Sequence, residues 1–266
     1  MSIYRDQTPA HAEVLICAGL DPSGGAGFIA DTRVVTALGA RPVGVVTALT
    51  VQNTLGVQQV QPVDAEIVGA QLAALLGDVE VQAVKLGLLG SVQVVREISY
   101  GLDLTAAPVV WDPVAAPSRG RVIFDAESFE EMLKLLGPHL RLITPNIIEL
   151  GLFVGREITD RESAIDAARM LIDRVGKLDV LVKGGHFDDS ERAVDILVMA
   201  NRIDEFEGVR IGSEDVHGTG CALSSAIATH LAQGTDLVNA CRLAKEFVAA
   251  HIAAPVRPGR GAPAVV

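Results

Sequence analysis

Several short stretches carry side chains, or backbone freedom, suited to chemistry. In "VHGTGCALSSA" (Val216–Ala226), Gly218, Thr219 and Gly220 can turn so that their N–H groups converge on one spot. A helix starting there adds unpaired donors and the positive end of its dipole. Such a spot suits a phosphoryl oxygen as negative charge builds on it. Cys221 follows at once. The same field is expected to lower its pKa, making it a base or hydrogen-bond acceptor for a substrate hydroxyl. The plainer reading is a small, inert cysteine, and Cys17 and Cys241 fit that description better.

Oxygen ligands and a cation occur elsewhere. Asp112 ends "VVW" and precedes Pro113, which restricts it to extended backbone and presents its carboxylate at a strand end. Asn146 and Glu149 in "TPNIIE" share a face if a helix starts there. Such oxygens suit Mg²⁺ or its waters, although Asn and Glu at this spacing also make a helix capping box. Lys183 in "VKGGH" could meet phosphate, or be a loop lysine after an edge strand; His186 reads as a loop histidine. Near the start, "AGLDPSGGAG" (Ala18–Gly27) places Asp21 and three glycines between a strand and a helix, allowing close approach to a ligand. It is neither a Walker loop nor a spaced dinucleotide fingerprint. Gln52 and Asn53 in "TALTVQNTLG" (Thr47–Gly56) follow a strand, where amides can read a heterocycle's donors and acceptors or simply build a turn.

Parallel strands whose carboxyl ends converge would bring such residues together. Short apolar runs at Val14–Gly19, Val43–Leu49, Val81–Gly87, Pro108–Val114, Leu140–Asn146 and Asp179–Gly185 predict strands. Amphipathic runs over residues 27–39, 65–77, 92–100, 126–136, 161–175, 222–232 and 237–253 predict helices between and after them. Strands without polar alternation imply a mostly parallel sheet covered on both faces. Ala193–Ala200 and Ile203–Ile211 predict an edge hairpin. One α/β domain over residues 1–266 is expected, with residues 1–12 and the Pro- and Gly-rich 255–266 loosely ordered.

Composition sets outer bounds. The 266 residues are 49% hydrophobic and 4% aromatic, so the expected core is aliphatic. A formal charge of −11 argues against a general nucleic-acid or anionic-membrane surface. Three dispersed cysteines suggest a reducing compartment, and no apolar run reaches a membrane span, so the expected location is the cytoplasm.

From about Val14 to Ala253 the chain resembles the hydroxymethylpyrimidine/phosphomethylpyrimidine kinases of thiamine synthesis, in the ribokinase-like superfamily. The stretch "AGLDPSGGAGFIADTRVVTALGARPVGVVTALTVQNTLGV", with "LITPN", "VKGGH" and "HGTGC", carries the resemblance. It implies a three-layer αβα fold, usually homodimeric, using ATP and Mg²⁺ to phosphorylate 4-amino-5-hydroxymethyl-2-methylpyrimidine and then its monophosphate. It further implies Gly19, Asp21, Ala26, Gln52, Leu88 and Val114 around the pyrimidine, with Gln52 bonded to the ring. Asp31 would support the pocket. Asp112 and Glu149 would serve the metal, and Asn146, Lys183 and Thr219 the ATP phosphates. Gly218 and Gly220 would form the anion hole. Cys221 stands where sugar-kinase relatives carry a catalytic aspartate. The family's methionines in "KIGML" and "DPVM" are Leu88 and Ala115 here, the following segment reads "APSRGRVIF", and the usual histidine-containing ending is missing. These changes touch pocket and lid. They motivate two alternatives: pyridoxal or pyridoxine as the alcohol, and a pyrimidine-binding regulatory protein without turnover.

Overall fold

A computed structural model describes residues 11–115, 124–185, 192–209 and 216–266. Its organisation follows from strands that are apolar on both sides. In β1 (Glu13–Leu20), Leu15 and Cys17 point into one hydrophobic cluster and Val14, Ile16 and Ala18 into the other. The same alternation runs through β5 (Val109–Trp111) and β7 (Asp179–Val182). A sheet with two apolar faces must be covered twice.

Five helices cover one face: α2 (Ala65–Leu76), α3 (Val92–Leu102), α4 (Ala126–Leu136), α5 (Ile147–Val154) and α6 (Arg161–Val175). Three cover the other: α1 (Gly27–Ala37), α7 (Thr219–Ala232) and α8 (Leu237–Ile252). The remaining strands are β2 (Arg41–Asn53), β3 (Gly56–Pro62), β4 (Ala83–Leu86), β6 (Leu140–Ile143), β8 (Arg192–Met199) and β9 (Arg202–Val209). Their order is β3-β2-β1-β4-β5-β6-β7-β8-β9. The stretch from β2 to β7 is parallel throughout, and β3, β8 and β9 are antiparallel additions. This is the expected three-layer α/β architecture.

Four details depart from expectation. The strand expected at Val43–Leu49 runs on to Asn53 and turns back as β3, which hydrophobic pattern did not mark because "VQQVQ" is half polar and partly exposed. Helix α7 starts at Thr219, three residues before the expected Ala222. Lys183 does not follow an edge strand: β7 lies between β6 and β8, because the expected hairpin extends the sheet beyond it. The C-terminal segment is held rather than loose. Ala264 and Val265 are buried, His217 N–H donates to Pro263 O, and Ala262 N–H donates to Thr54 O.

Helix starts differ in a way that matters for the site. Six of the eight α-helices among the described residues begin with an Asp, Asn or Ser side chain accepting from a first-turn N–H. Helices α1 and α7 have no side-chain cap. Their first-turn donors are therefore not taken up by a capping side chain at the residue before the helix.

Candidate active site

The carboxyl ends of the parallel strands gather the scattered motifs. Asp112 leaves β5, Asn146 follows β6, and Lys183 follows β7. Lys183 Nζ lies 2.6 Å from Asp112 Oδ1 and 3.5 Å from Glu149 Oε2. Asn146 and Lys183 form a short parallel bridge, with Lys183 N–H donating to Pro145 O. Burial alone would lower the Lys183 pKa, but Asp112 and Glu149 outweigh it and hold the ammonium above its ordinary value. The Glu149 carboxyl is raised, chiefly by burial.

Asn146 and Glu149 do form the capping box of α5: Asn146 Oδ1 accepts from Glu149 N–H at 2.9 Å, and Glu149 Oε2 accepts from Asn146 N–H at 2.8 Å. The structural and chemical readings of this pair are not exclusive, because the same box fixes Glu149 beside Lys183. Two carboxylates do not form a closed cage, and among the described residues no group of three acidic, His or Cys side chains is placed to hold a metal ion. This donor set suits a hard cation that keeps waters and takes its other oxygens from phosphates.

The turn into α7 packs against that cluster. Gly218 is left-handed at φ 84°, and a side chain there would overlap the Gly25 carbonyl oxygen. A Cβ on Gly220 would sit 3.2 Å from Lys183 Nζ and 3.4 Å from Asp112 Oδ2. The first turn of α7 therefore faces the charged cluster at backbone distance. One glycine touches the loop after β1 and the other touches the residues after β5 and β7.

On the β1 side, Asp21 is buried and densely bonded. Its Oδ1 accepts from Ser23 N–H at 2.8 Å and Ser23 Oγ–H at 2.7 Å, and its Oδ2 accepts from Ala26 N–H at 3.1 Å. Burial pushes this carboxyl up, but bonds from His217 and Ser23 overcome the effect and hold it below the usual range. Gly19 backs onto Leu88, since a Cβ there would lie 2.9 Å from Leu88 Cδ2. Thr47 Oγ–H donates to the Leu88 carbonyl at 2.5 Å. Gln52 near the end of β2 approaches His217, its Nε2 lying 3.1 Å from His217 Nε2. Gly19, Asp21, Ala26, Gln52 and Leu88 thus share one side of the strand ends. Val114 stands just after Asp112 and lines a small interior space beside Trp111, Phe124 and Met132.

Cys221 corrects an expectation. Its thiol pKa is pushed up to about 11, not lowered. Burial is the main cause, and the carboxylates of Asp31 and Asp112 add to it; Lys85 and the Gly27 N–H pull the other way and lose. Here burial, with two nearby carboxylates, outweighs the lowering influences on the thiol.

Two polar side chains were not singled out from sequence. Lys85 is fully buried, with Nζ 2.5 Å from Asp31 Oδ2, and Ser225 Oγ–H donates to Asp31 Oδ1 at 2.8 Å. Burial works against the Lys85 charge, but Asp31 outweighs it and raises the lysine's pKa. A lysine inside an apolar strand was the available signal. His217 was visible only as the first letter of "HGTGC"; its contact with Asp21 spans 196 residues of chain. Residues 116–123, including most of the variable "APSRGRVIF" segment, and His186 lie outside the described residues.

Comparison with known proteins gives a consistent result. The family model described as phosphomethylpyrimidine kinase matches residues 21–265. A hydroxymethylpyrimidine/phosphomethylpyrimidine kinase of Rhizobium meliloti is 38% identical over 94% of this chain and 95% of its own length. The thiamine biosynthesis bifunctional protein ThiED of Geobacter sulfurreducens is 41% identical over 93% of this chain; that match spans 50% of the longer protein. Among solved structures, a phosphomethylpyrimidine kinase of Clostridium difficile superposes with a TM-score of 0.77 at 34% identity, covering 89% of this chain and 97% of that one. An ADP complex of Bacillus subtilis pyridoxal kinase superposes with a TM-score of 0.87 at 28% identity, covering 96% and 97%. The ribokinase-like fold, the strand-end cluster and a family match over nearly the whole length agree: this chain belongs to the phosphomethylpyrimidine kinase family and is a phosphotransferase.

Proposed function

We propose that the chain transfers the γ-phosphoryl group of ATP to the hydroxymethyl group of 4-amino-5-hydroxymethyl-2-methylpyrimidine, and then phosphorylates the monophosphate, in thiamine synthesis. One observation carries this reading beyond family membership. The uncapped start of α7 touches the β1 loop through Gly218 and the Asp112–Lys183 pair through Gly220, so an acceptor on one side and phosphates on the other meet at the same turn.

The roles follow from position. Gly19, Ala26, Gln52 and Leu88 hold the pyrimidine, with Val114 beside them and Asp21 supporting the pocket through its bonds to Ala26 and His217, and Gln52 pairs with the ring edge. The backbone of Gly218, Thr219 and Gly220 receives the transferring phosphoryl group, where fixed donors are worth most as charge develops. Asn146 and Lys183 orient the ATP phosphates, and Lys183 neutralises charge. Asp112 and Glu149 would hold Mg²⁺ through oxygens and waters; when bound, that ion neutralises phosphate charge. With its thiol protonated near neutral pH, Cys221 serves the substrate hydroxyl as a hydrogen-bonding group rather than as a preformed thiolate base. A homodimer in the cytoplasm is the expected setting. Among the described residues no helix is long and apolar enough to cross a membrane.

Pyridoxal or pyridoxine is the second reading. It is favoured by the 0.87 TM-score to solved pyridoxal kinases, one of them complexed with AMP-PCP and pyridoxal. The test is product mass after incubating the purified protein with ATP, Mg²⁺ and either the hydroxymethylpyrimidine or pyridoxine. Mono- and diphosphorylated pyrimidine is the expected result. Phosphate on pyridoxine alone would move the enzyme to that vitamin, and pyrimidine binding without any product would favour a silent binding protein.

A further inference from the structure

Around His217 the polar neighbours leave one consistent arrangement of protons. His217 Nε2 has two polar neighbours, Asp21 Oδ2 at 3.2 Å and the Gln52 carboxamide at 3.1 Å. Asp21 is nearly inaccessible, and its Oδ2 already accepts from Ala26 N–H. Its carboxylate stays ionised, so the imidazole nitrogen facing it must carry a proton. An Nε2–H cannot accept a bond, so the Gln52 atom facing it must be the carbonyl oxygen.

The other end of the amide leads to the same answer independently. Thr50 Oγ has one proton, and Leu20 O lies 2.8 Å away. A carbonyl only accepts, so the Thr50 proton goes to Leu20. Thr50 Oγ can then only accept from Gln52, whose amide lies 3.2 Å off. The Gln52 atom facing Thr50 must therefore be the NH₂. With nitrogen toward His217 and oxygen toward Thr50, both contacts are mismatched; a half-turn of the carboxamide, which leaves its shape unchanged, makes both good.

We propose that His217 is the positioning residue of the acceptor pocket: its Nε2–H donates to Asp21 and to Gln52, locking the Gln52 carboxamide with its oxygen toward the imidazole and its NH₂ toward Thr50. The backbone holds the imidazole in place. Gly25 leaves room for its edge, since a Cβ there would lie 2.7 Å from His217 Cδ2. His217 N–H donates to Pro263 O at 2.7 Å, and Val265 N–H donates to His217 O at 3.2 Å.

Locking sets specificity, on the reading proposed above that Gln52 meets the ring. His217 and Thr50 take one lone pair and one N–H from the amide. One lone pair and one N–H remain, in a fixed left–right order. A 4-aminopyrimidine offers a donor NH₂ beside an acceptor ring nitrogen and matches one order. Its 4-oxo counterpart offers an acceptor beside a donor N–H and matches the reverse. Because the hydroxymethyl group must point at the transfer site, the ring cannot turn over to compensate. Releasing the lock lets the amide serve either ring.

Two measurements test this. The first needs no substrate. In ¹⁵N-histidine-labelled protein near neutral pH, the His217 Nε2 resonance, assigned by its loss in His217→Gln, is expected in the proton-bearing position; an unprotonated Nε2 would overturn the assignment. The second compares kcat/KM for the 4-amino and 4-oxo hydroxymethylpyrimidines. The wild type is expected to prefer the amino compound by about 100-fold or more, and His217→Leu to lose at least about tenfold of that ratio, with pyrimidine KM rising and the KM for ATP spared. His217→Gln places an N–H donor where Nε2–H was, and is expected to restore most of the preference. An unchanged ratio in His217→Leu, or a Gln variant as relaxed as the Leu variant, would sink the proposal. If the wild type phosphorylates neither pyrimidine, the reading of the substrate fails, while the nitrogen resonance still decides the state of His217.

Discussion

A thiol pushed up to about 11 makes Cys221 a different residue from the reactive cysteine that its place at a helix start suggests. At pH 7 its thiolate fraction is about one in 10⁴. Inactivation by iodoacetamide is therefore expected to accelerate roughly tenfold per pH unit between pH 7 and 9, in step with the thiolate. A plateau already reached at pH 7 would contradict the raised pKa. Cys221→Ala is expected to lower kcat by roughly 10–100-fold through loss of a bond to the substrate hydroxyl, with little change in melting temperature. Lys85 makes the converse point about stability. Replacing it with Met leaves the Asp31 carboxylate buried without its cation, which is expected to cost about 3–5 kcal/mol in urea unfolding. Replacing both partners with apolar residues is expected to recover much of that loss. What the sequence revealed at this scale was residue type and a strand end. Asp112 and Lys183 were legible because charged residues closing apolar strands stand out, and Gly220 because it sits in a glycine-rich turn that opens a helix. Lys85 and His217 were not, because each takes its meaning from a partner on another element.

At the scale of elements, two uncapped helices and one terminal segment shape the site. Gly218 is the joint between them: its positive φ and its contact with Gly25 leave no room for a side chain. Gly218→Ala is expected to destabilise the fold by about 1–3 kcal/mol and to abolish most activity, read by thermal unfolding and product formation. The C-terminal segment acts on the same joint from outside. Residues 263–265 bond to both backbone groups of His217. Ending the chain at Ala262 is expected to raise pyrimidine KM several-fold while sparing the KM for ATP. An unchanged pyrimidine KM would show that His217 holds its place without them. Composition alone pointed to a frayed end here, since Pro- and Gly-rich segments have few partners of their own. The partners came from elsewhere in the chain, at Thr54 and His217.

Across the whole molecule, burial of ionisable groups sets a pH limit. The thiols of Cys17 and Cys221 are pushed up to about 12 and about 11, and that of Cys241 is raised further, all by burial. In the unfolded chain these thiols ionise near their ordinary value of 9.0. Above it the unfolded state loses protons first, so stability present below pH 9 declines as pH rises toward 11 and 12. Lys85 acts in the same sense. Its raised pKa favours the folded state below the ordinary lysine value of 10.5, and that contribution is lost as pH climbs through the folded value. The melting temperature is expected to hold between pH 7 and 8.5 and to fall steeply by pH 10.5. A flat profile to pH 10.5 would mean that the buried thiols are relaxed or solvated.

Sequence by itself determined the layer architecture and the inventory of the site. Apolar strands without alternation require helices on both faces, and that requirement holds whatever the details of packing. Glycines, a carboxylate and a lysine at strand ends were legible for a similar reason: local pattern marks where a strand stops. Tertiary structure alone decided ionisation and orientation. The Cys221 pKa depends on burial first and then on Lys85, Asp31 and Asp112, which approach it from other parts of the chain, and the Gln52 amide takes its direction from His217 and Thr50. Electrostatic energy and hydrogen-bond matching depend on distance in space, and folding sets those distances between residues far apart in the chain.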